Sequence, residues 1–421
     1  MKGILIRNVV DNGEKKDLFI EHNIIKSISV AGEGDFSNDG ELEIIDANGK
    51  YVIPGFINMH THSAMTLMRG VREDAPLQSW LESVWEMEPR LDDELIYWGT
   101  KLAAIEMIST GTTCFNDQYW NVGIAANAIK EMGLRSVQSF VLLDLFNKEK
   151  AEQMKRDCIV AYEESKRWGT LNTFALSIHA PYSVSEELIV WGSNFAKEHN
   201  LLLHIHVSET EQENLDSFEK HNLSPVAYLH KLGVLGPHVI AAHSLWLSEQ
   251  DIELMAMHKV NVVHNINSNL KLSSGYKFKY NELKEAGVNI CIGTDGAASS
   301  NNLDMLETMK TSALMQKAWR KDPAALPLNE LLDAATINGA NALRLNCGRV
   351  EEGALADLLL IDVDNYAFTP NYNFLANLVY SANSSCIDTV ICNGKVLMRG
   401  RKINGAEEVL AQVNRIYKRL L

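Results

Sequence analysis

Two histidines one residue apart are the first residues of this chain that suggest chemistry. His60 and His62 end the run Val-Ile-Pro-Gly-Phe-Ile-Asn-Met-His-Thr-His, which is apolar and rich in β-forming residues. Side chains at i and i+2 of a strand point to the same face, so the two imidazoles lie side by side at the end of a strand. Two neutral imidazoles suit a divalent transition metal but leave its coordination shell incomplete. Two unrelated surface histidines are the alternative at this stage.

Other histidines and acidic residues also end apolar runs of strand length. One such residue by itself is more often a hydrogen-bonded structural residue than a ligand. Its recurrence at the ends of several strands is more informative, because chance alignment of the whole set is improbable. The further candidates are His179, His204, His206, Glu209, His243 and Asp295.

From residue 52 onwards, a short apolar strand and an amphipathic helical segment alternate repeatedly. Strands are predicted to end near His62, Asp117, Asp144, Ala180, Ser208, Ser244, Asn267 and Asp295. The helical segments are Asp93–Ser109, Val122–Met132, Ala151–Trp168, Glu186–His199, Pro225–Leu232, Ser248–His258, Tyr280–Ala286 and Leu303–Arg320, with one more at Leu328–Leu343. Eight such units predict an α/β fold, the (β/α)8 TIM barrel, whose catalytic residues lie at the carboxyl ends of its strands. All the candidates then meet at one mouth of the barrel.

Both ends of the chain have β character instead. Short alternating runs separated by turns fill residues 2–53, and similar runs return after residue 355, with a hairpin turn at Asn393-Gly394. We predict that residues 1–53 and 350–406 form one composite β-sandwich domain. Residues 54–349 form the catalytic barrel, and residues 407–421 a C-terminal helix.

The composition narrows the class of protein. The net charge of −15 over 421 residues makes nucleic acid an unfavourable partner. The six cysteines are scattered without a Cys-x-x-Cys pair, which favours a reducing cytoplasm over a disulfide scaffold. The first residues contain no apolar run of signal-peptide length, and no stretch of the sequence is long and apolar enough to span a bilayer. We therefore expect a cytoplasmic protein without a membrane partner.

Position along the strand separates metal ligands from supporting residues. His206 lies nearer the mouth than His204, so we predict that His206 joins His60 and His62 as a ligand and that His204 is structural. Asp295 supplies the fourth protein ligand. Three imidazoles, one carboxylate and an open position suit Zn²⁺, with Fe²⁺ or another transition metal as alternatives. A bound divalent ion lowers the pKa of its water towards neutrality and so supplies a hydroxide nucleophile.

Three groups at the same mouth can move protons. Hydrolysis needs a base for the water and an acid for the leaving nitrogen. Glu209 lies three residues beyond His206, and His243 ends the next strand. With Asp295, which can accept a proton from the water, they fill both roles.

These residues and their surroundings resemble the amidohydrolase superfamily over nearly the whole chain. More narrowly they resemble the branch that contains 5-methylthioadenosine/S-adenosylhomocysteine deaminases and related chlorohydrolases. The motifs are Pro54–Gly70, Trp80-Leu-Glu, Glu88-Pro-Arg-Leu, His179-Ala-Pro-Tyr-Ser, His204–Thr210, His264–Leu272 and Gly293–Leu303. Two-metal relatives would use a bridging lysine late in the fourth strand, where this chain has His179. We therefore predict a single metal ion.

The resemblance implies hydrolytic deamination of an adenosine-type nucleoside. Hydroxide adds to C6 of the purine, the tetrahedral carbon collapses, and ammonia leaves a 6-oxo product. In this scheme Glu209 delivers a proton to N1 and His243 orients or polarises the attacking water. Glu88 accepts hydrogen bonds from the ribose hydroxyls, and His179 contacts the purine ring. The superfamily usually forms homo-oligomers, so we expect one here.

One departure from the family bears on the 5′ substituent of the substrate. Relatives that accept S-adenosylhomocysteine are expected to hold its carboxylate with arginines after the third strand, but after Arg135 the next arginine is Arg156. Lys148 or Lys150 can replace them only as point charges. We therefore favour a small 5′ group, as in 5′-deoxyadenosine, adenosine or 5-methylthioadenosine. The alternatives are an aminohydrolase or chlorohydrolase acting on a free base, pterin or triazine and, more remotely, a non-catalytic metal-binding barrel.

Overall fold

Short strands joined by tight turns begin the chain. The computed structural model describes residues 3–34, 36, 41–75 and 77–420. At the first hairpin Asn12 and Gly13 have φ angles of 48° and 83°, which matches the type I′ turn that Asn-Gly favours. The strands are β1 (Gly3–Asp11), β2 (Glu14–Glu21), β3 (Ile24–Val30), β4 (Leu42–Asp46) and β5 (Lys50–Pro54).

A parallel barrel follows. Within the described part of the chain its sheet has eight strands, each paired with its neighbour in sequence. They are β6 (Phe56–Thr61), β7 (Thr112–Tyr119), β8 (Arg135–Leu142), β9 (Asn172–Ile178), β10 (Leu203–Val207), β11 (Val239–His243), β12 (Asn261–His264) and β13 (Asn289–Ile292). The backbone N–H of Asp295 donates to the carbonyl of His60 at 2.9 Å, which joins the end of β13 to β6 and closes the ring. The predicted TIM barrel is therefore confirmed.

Helices cover the outside of the barrel and part of its mouth. Polar N-caps begin many of them: the side chains of Asp92, Ser185, Thr210 and Ser224 each accept a backbone N–H of the first turn. The helices are α1 (Leu77–Met87), α2 (Asp93–Ser109), α3 (Val122–Met132), α4 (Lys148–Ser165), α5 (Glu186–Glu198), α6 (Glu211–His221), α7 (Pro225–Lys231), α8 (Glu249–Met257), α9 (Ile266–Lys271), α10 (Tyr280–Glu285), α11 (Ala297–Ser300), α12 (Met305–Arg320), α13 (Leu328–Ala335), α14 (Ile337–Ala342), α15 (Phe374–Ala376) and α16 (Ala406–Ile416).

Some predicted helices have different bounds. The single helix expected at Leu328–Leu343 is divided into α13 and α14 at Thr336. The hydroxyl of Thr336 donates to the carbonyl of Leu332 at 2.7 Å, a local bond that bends helices. The expected C-terminal helix becomes α16 followed by a 3-10 turn at Tyr417–Leu420, and its last residue, Leu421, lies outside the described residues.

The chain ends return to a common sheet. The last strands are β14 (Leu358–Asp362), β15 (Ile387–Cys392), β16 (Lys395–Arg399) and β17 (Lys402–Ile403). Among the described residues the sheet has nine strands, and β14 pairs antiparallel with β5. A bridge between Ile24 and Leu355 brings β3 against the segment before β14, so the sheet folds over an apolar core of its own. Strands from both ends of the chain thus form one separate β unit as predicted, and the exact domain boundaries stay predictions.

A buried ion pair joins this unit to the bottom of the barrel. Arg135, the first residue of β8, donates from Nε to a carboxylate oxygen of Asp357 at 3.0 Å. The two side chains are 6% and 1% exposed. Arg135 is therefore committed to a structural pair at the amino end of its strand, far from the mouth where substrate enters.

Candidate active site

Strand ends bring the predicted residues together at the carboxyl mouth of the barrel. His60 is near the end of β6 and His62 follows it, His206 is near the end of β10, and His243 ends β11. Asp295 lies in the loop after β13. Four of these five are less than a tenth exposed, and His62 is partly buried. The barrel therefore gathers residues that are far apart in the chain, His60 and Asp295 by 235 positions.

The donor atoms of four residues are spaced as a metal would require. Asp295 Oδ1 lies 3.4 Å from His60 Nε2 and 3.2 Å from His62 Nε2. His206 Nε2 lies 3.2 Å from His60 Nε2. In a tetrahedral zinc site with bonds of about 2.0–2.1 Å, neighbouring ligand atoms are about 3.3–3.4 Å apart. The cluster therefore fits a divalent metal ion.

Outer hydrogen bonds orient these imidazoles. The Nδ1 atom of His62 lies 2.9 Å from the carbonyl oxygen of Gln118, and that of His206 lies 2.8 Å from the carbonyl of His179. A carbonyl can only accept, so Nδ1 carries a proton and Nε2 is the nitrogen left to bind a metal at the centre of the cluster. His204, fully buried below, has its Nε2 2.9 Å from His60 Nδ1. It supports His60 from beneath, in the deeper position that its place in the strand predicted.

Asp295 is held in a strained but well-bonded conformation. Its φ angle of 63° is in the left-handed region, which is unfavourable for a residue other than glycine. Its Oδ1 accepts the backbone N–H of Gly296 at 2.7 Å, and its Oδ2 accepts the hydroxyl of Ser268. Burial raises the pKa of Asp295, but His60 and His62 outweigh that effect and hold it well below the ordinary value. The residue is therefore an anionic oxygen donor.

Glu209 and His243 face each other beside this cluster. Glu209 Oε2 is 3.7 Å from His243 Nε2. The Asn269 amide donates to His243 Nδ1 at 3.0 Å, so the opposite nitrogen faces the glutamate. Burial, followed by the charge of Asp295, raises the pKa of Glu209 to about 8. Burial lowers the pKa of His243 to about 4. Near neutral pH the pair therefore consists of a protonated carboxyl and a neutral imidazole.

A cavity opens over these groups and is roofed by α1. The roof contributes apolar and aromatic side chains, of which Trp80 and Val84 are buried. Glu88, just after α1, and His179, just after β9, line the same cavity. The cavity lining is His62, Met65, Leu77, Trp80, Leu81, Val84, Trp85, Glu88, Gln118, Tyr119, Trp120, Val141, Leu143, His179, Tyr182, His206, Glu209, His243, Leu272 and Asp295.

The two peripheral candidates are partly withdrawn from water. Burial raises the pKa of Glu88 to about 7, while the charge of His62 and the hydroxyl of Tyr119, 3.5 Å from Oε1, act in the opposite direction. Burial lowers the pKa of His179 to about 3. Its Nδ1 is 2.7 Å from the hydroxyl oxygen of Ser183. Both residues thus present uncharged or weakly charged polar atoms to a mainly apolar cavity.

A second hollow adjoins the first on the far side of Glu88. The two share the side chains of Trp85, Glu88, Tyr119, Trp120 and Leu143. The remaining walls of the second hollow are largely apolar, with one cation and one amide: Pro89, Leu91, Ile96, Asn121, Leu145 and Lys150. The two hollows therefore form a bipartite site with a carboxyl group at the junction.

Several parts of this site were not predicted from the sequence. The roof helix α1 was not predicted, although its Trp80-Leu-Glu stretch belongs to the family motifs and its apolar residues have helical spacing. Tyr119 and Tyr182 also line the cavity; neither was assigned a role, although Tyr182 belongs to the His179-Ala-Pro-Tyr-Ser motif. No local pattern distinguishes such aromatic residues from ordinary core residues, since only the packed barrel places them at the mouth.

The fold and the site together define a barrel hydrolase built around a divalent metal. Residues 51–397 match the profile of the amidohydrolase family. This chain belongs to the amidohydrolase family, whose deaminase members hydrolyse C–N bonds. Within the described ranges, no helix has both the length and the apolar character needed to cross a membrane.

Similar proteins agree with this assignment. The chain is 43% identical over 416 residues to a 5′-deoxyadenosine deaminase of Methanoregula boonei, a match that covers 98% of this chain and 93% of that protein. It is 41% identical over 381 residues to 5-methylthioadenosine/S-adenosylhomocysteine deaminase 1 of Archaeoglobus fulgidus, covering 90% of each. The crystal structure of an adenosine deaminase from Xanthomonas campestris with bound zinc superposes with a TM-score of 0.92 at 31% identity, covering 100% of this chain and 98% of the other.

Proposed function

We propose that this protein hydrolyses the 6-amino group of adenosine-type nucleosides with a small 5′ substituent, releasing ammonia. The observation that carries the proposal is the bipartite site. One hollow contains the metal cluster with Glu209 and His243, and the other extends past Glu88. A purine at the first hollow would place its ribose near Glu88 and its 5′ group in the second. The Methanoregula and Archaeoglobus relatives are both named as nucleoside deaminases, which supports the same substrate class.

The metal ion would be held by His60, His62, His206 and Asp295. We propose Zn²⁺, in one equivalent per chain, because three imidazoles and one carboxylate suit this ion and the Xanthomonas structure contains it. When bound, such an ion supplies an activated water nucleophile. Metal analysis of purified protein tests the proposal, since a second equivalent or a different native metal would contradict it.

The chain's own residues would move the protons. Asp295, an anionic carboxylate beside the cluster, accepts a proton from the attacking water. Glu209, protonated near neutral pH, donates to N1 of the purine so that C6 becomes electrophilic. His243 Nε2 points towards the same space, 3.7 Å from Glu209, and orients the water. His179 contacts the purine ring from the side of β9.

The lining of the second hollow favours a small apolar 5′ group. Its walls include Leu91, Ile96 and Leu143, which suit a methyl or methylthio group better than an amino acid. Lys150, at its edge, is a single flexible cation in place of a bidentate guanidinium. We therefore expect 5′-deoxyadenosine, adenosine and 5-methylthioadenosine to be better substrates than S-adenosylhomocysteine.

A substrate panel tests the proposed reaction. Ammonia release, or the absorbance change from adenine to hypoxanthine, is measured with adenosine, 5′-deoxyadenosine, 5-methylthioadenosine, S-adenosylhomocysteine, guanine and a triazine. Efficient turnover of S-adenosylhomocysteine without turnover of the smaller nucleosides would refute the 5′ preference. Turnover of guanine or triazine alone would establish the alternative class of aminohydrolase.

Glu88 offers a sharper test of the ribose contact. In Glu88→Gln we expect kcat/KM for nucleosides to fall by about 10-fold, because Gln keeps only one of the two acceptor oxygens and a buried hydroxyl left without its partner costs about 1–3 kcal/mol. The matched control is Glu86→Gln, an exposed glutamate two positions away on α1, which should change nothing. Unchanged nucleoside turnover in Glu88→Gln would remove the argument for a ribose at the junction.

Two further predictions concern the state of the protein in the cell. We propose a homo-oligomer, tested by light scattering of the purified protein. We also propose a cytoplasmic location, tested by cell fractionation.

A further inference from the structure

Glu213 is a buried glutamate close to the proposed proton donor. It is 6% exposed and lies in the first turn of α6, four residues after Glu209. Among the described residues that line the catalytic cavity, Glu209 is present and Glu213 is absent. Any effect of Glu213 on the reaction must therefore pass through the residues that it contacts.

Both oxygens of the Glu213 carboxylate accept backbone N–H groups of the loop that carries Glu209. Oε1 accepts the N–H of Ser208 at 2.9 Å, and Oε2 accepts the N–H of Glu209 itself at 2.8 Å. Burial raises the pKa of Glu213 to about 8, and the two N–H groups act in the opposite direction because they favour the ionised form. One side chain thus holds two successive peptide units, the one that joins Val207 to Ser208 and the one that joins Ser208 to Glu209.

These bonds differ from ordinary helix capping, as a comparison within the same chain shows. At α8, Asp251 completes a capping box: its carboxylate accepts the N–H of the N-cap residue Ser248 at 2.8 Å. At α6 the N-cap Thr210 accepts the N–H of Glu213 at 3.0 Å, but the Glu213 carboxylate passes over Thr210 and binds the two residues before it. A capping box at α6 would require only a bond to the N–H of the N-cap residue Thr210. The bonds to Ser208 and Glu209 therefore stabilise the loop before the helix.

The loop needs such support because its conformation is unfavourable. Ser208 has a φ angle of 52°, in the left-handed region that is unfavourable for a residue other than glycine. From the other side, the Ser208 carbonyl accepts the N–H groups of Leu245 and Trp246 at 3.0 and 2.9 Å. Rotation of this peptide would carry the Glu209 carboxylate away from its position 3.7 Å from His243.

We propose that Glu213 is a positioning residue that holds Glu209 in place for proton transfer. The inference rests on the proposed function in one respect only, that Glu209 is the proton donor. An amide at position 213 keeps the shape of the side chain but has a single acceptor oxygen, so at least one loop N–H loses its partner. In Glu213→Gln we expect kcat to fall about 10- to 100-fold, the usual effect of losing an outer-shell hydrogen-bond partner. The KM and the metal content should stay unchanged, because neither the metal ligands nor the cavity lining is altered.

A double-mutant cycle separates positioning from a general structural role. In the Glu209→Gln background, where there is no proton donor to position, Glu213→Gln should have little further effect on the residual rate. Multiplicative effects of the two substitutions, or loss of metal in Glu213→Gln, would overturn the proposal. The matched control is Asp251→Asn in the capping box of α8, which should lower stability with unchanged kcat. Glu213→Asp, which retains the carboxyl group with a shorter reach, gives a second variant if Glu213→Gln does not fold.

Hydrogen exchange provides a readout that does not depend on the substrate. In Glu213→Gln, peptides spanning residues 203–215 should exchange their amide hydrogens faster than in the wild type, and in Asp251→Asn they should not. Unchanged exchange in Glu213→Gln would overturn the proposal even if activity fell. If the wild type turns over no compound of the panel, the proposed function fails, and the exchange experiment still decides whether Glu213 holds the loop.

Discussion

The raised pKa of Glu209 makes a specific prediction for the pH dependence of the reaction. With a pKa of about 8, the carboxyl is about 90% protonated at pH 7 and about 10% protonated at pH 9. At its ordinary value of 4.5, it would be only about 0.3% protonated at pH 7. Raising the pH through 8 removes the proton that Glu209 donates. We therefore expect kcat/KM to fall about tenfold between pH 7 and pH 9.

Burial is the largest cause of this raised pKa, so admitting water should reverse it. Trp80 on α1 is 8% exposed and lines the same cavity as Glu209. Replacing it with alanine opens the roof, and we expect the descending limb of the pH profile to move about one pH unit towards acid. Trp168→Ala is the matched control, because Trp168 packs on the outer core of the barrel.

The assay is ammonia release from the best nucleoside between pH 5.5 and pH 10, analysed as kcat/KM so that it reports the free enzyme. A flat profile between pH 7 and pH 9 in the wild type would refute the role of Glu209 as the acid. A limb that stays in place in Trp80→Ala, or that moves equally in Trp168→Ala, would refute burial as its cause.

Three further outcomes follow from the same geometry. Removal of metal with a chelator should abolish activity and lower the melting temperature, because a ligand at 1,000 times its Kd stabilises the folded state by about 4 kcal/mol. Added zinc should restore both the activity and the melting temperature. Full activity without metal would contradict the metal site. Arg135→Ala should lower the free energy of unfolding, measured in urea, by about 3–5 kcal/mol, since it leaves the Asp357 carboxylate buried without its cation. The control Arg415→Ala removes an exposed pair with Glu94 and should lower it by less than about 1 kcal/mol. Glu209→Gln should have a larger free energy of unfolding than the wild type at pH 9, by an amount on the order of 4 kcal/mol that disappears near pH 5. The reason is that a carboxyl with a raised pKa loses its stabilising contribution as the pH rises from 4.5 through about 8. An equal difference between the two proteins at both pH values would contradict the buried carboxyl.

Local sequence patterns predicted the barrel and the residues at its mouth. The spacing of His60 and His62 was sufficient to predict that both side chains face the same side of a strand, because side chains of a strand alternate with a period of two. The order of strands followed from the alternation of strands and helices, which parallel barrels require. The hairpin at Asn393 and Gly394 was equally local: φ angles of 51° and 69° are those that this dipeptide favours.

Features that depend on distant neighbours were not predicted. The Arg135–Asp357 pair joins residues 222 positions apart, and nothing near either residue identifies its partner. The division of the helix at Thr336 and the roof formed by α1 likewise reflect packing more than propensity. The positive φ angles of Ser208, His243 and Asp295 run against the preferences of these residue types. Such conformations persist only where the surrounding structure enforces them.

Which groups can do chemistry, and at which end of the barrel they lie, could be predicted without the structure. Both follow from side-chain type and from periods of two and 3.6 residues, which are properties of the local chain. How those groups behave depends instead on the packed molecule. It set the ligand spacings of 3.2–3.4 Å, the burial that raises the pKa of Glu209 to about 8, and the bonds by which Glu213 holds the Glu209 loop. Desolvation and interatomic distance are properties of the packed molecule. Neither is defined until residues that are far apart in the chain have come together.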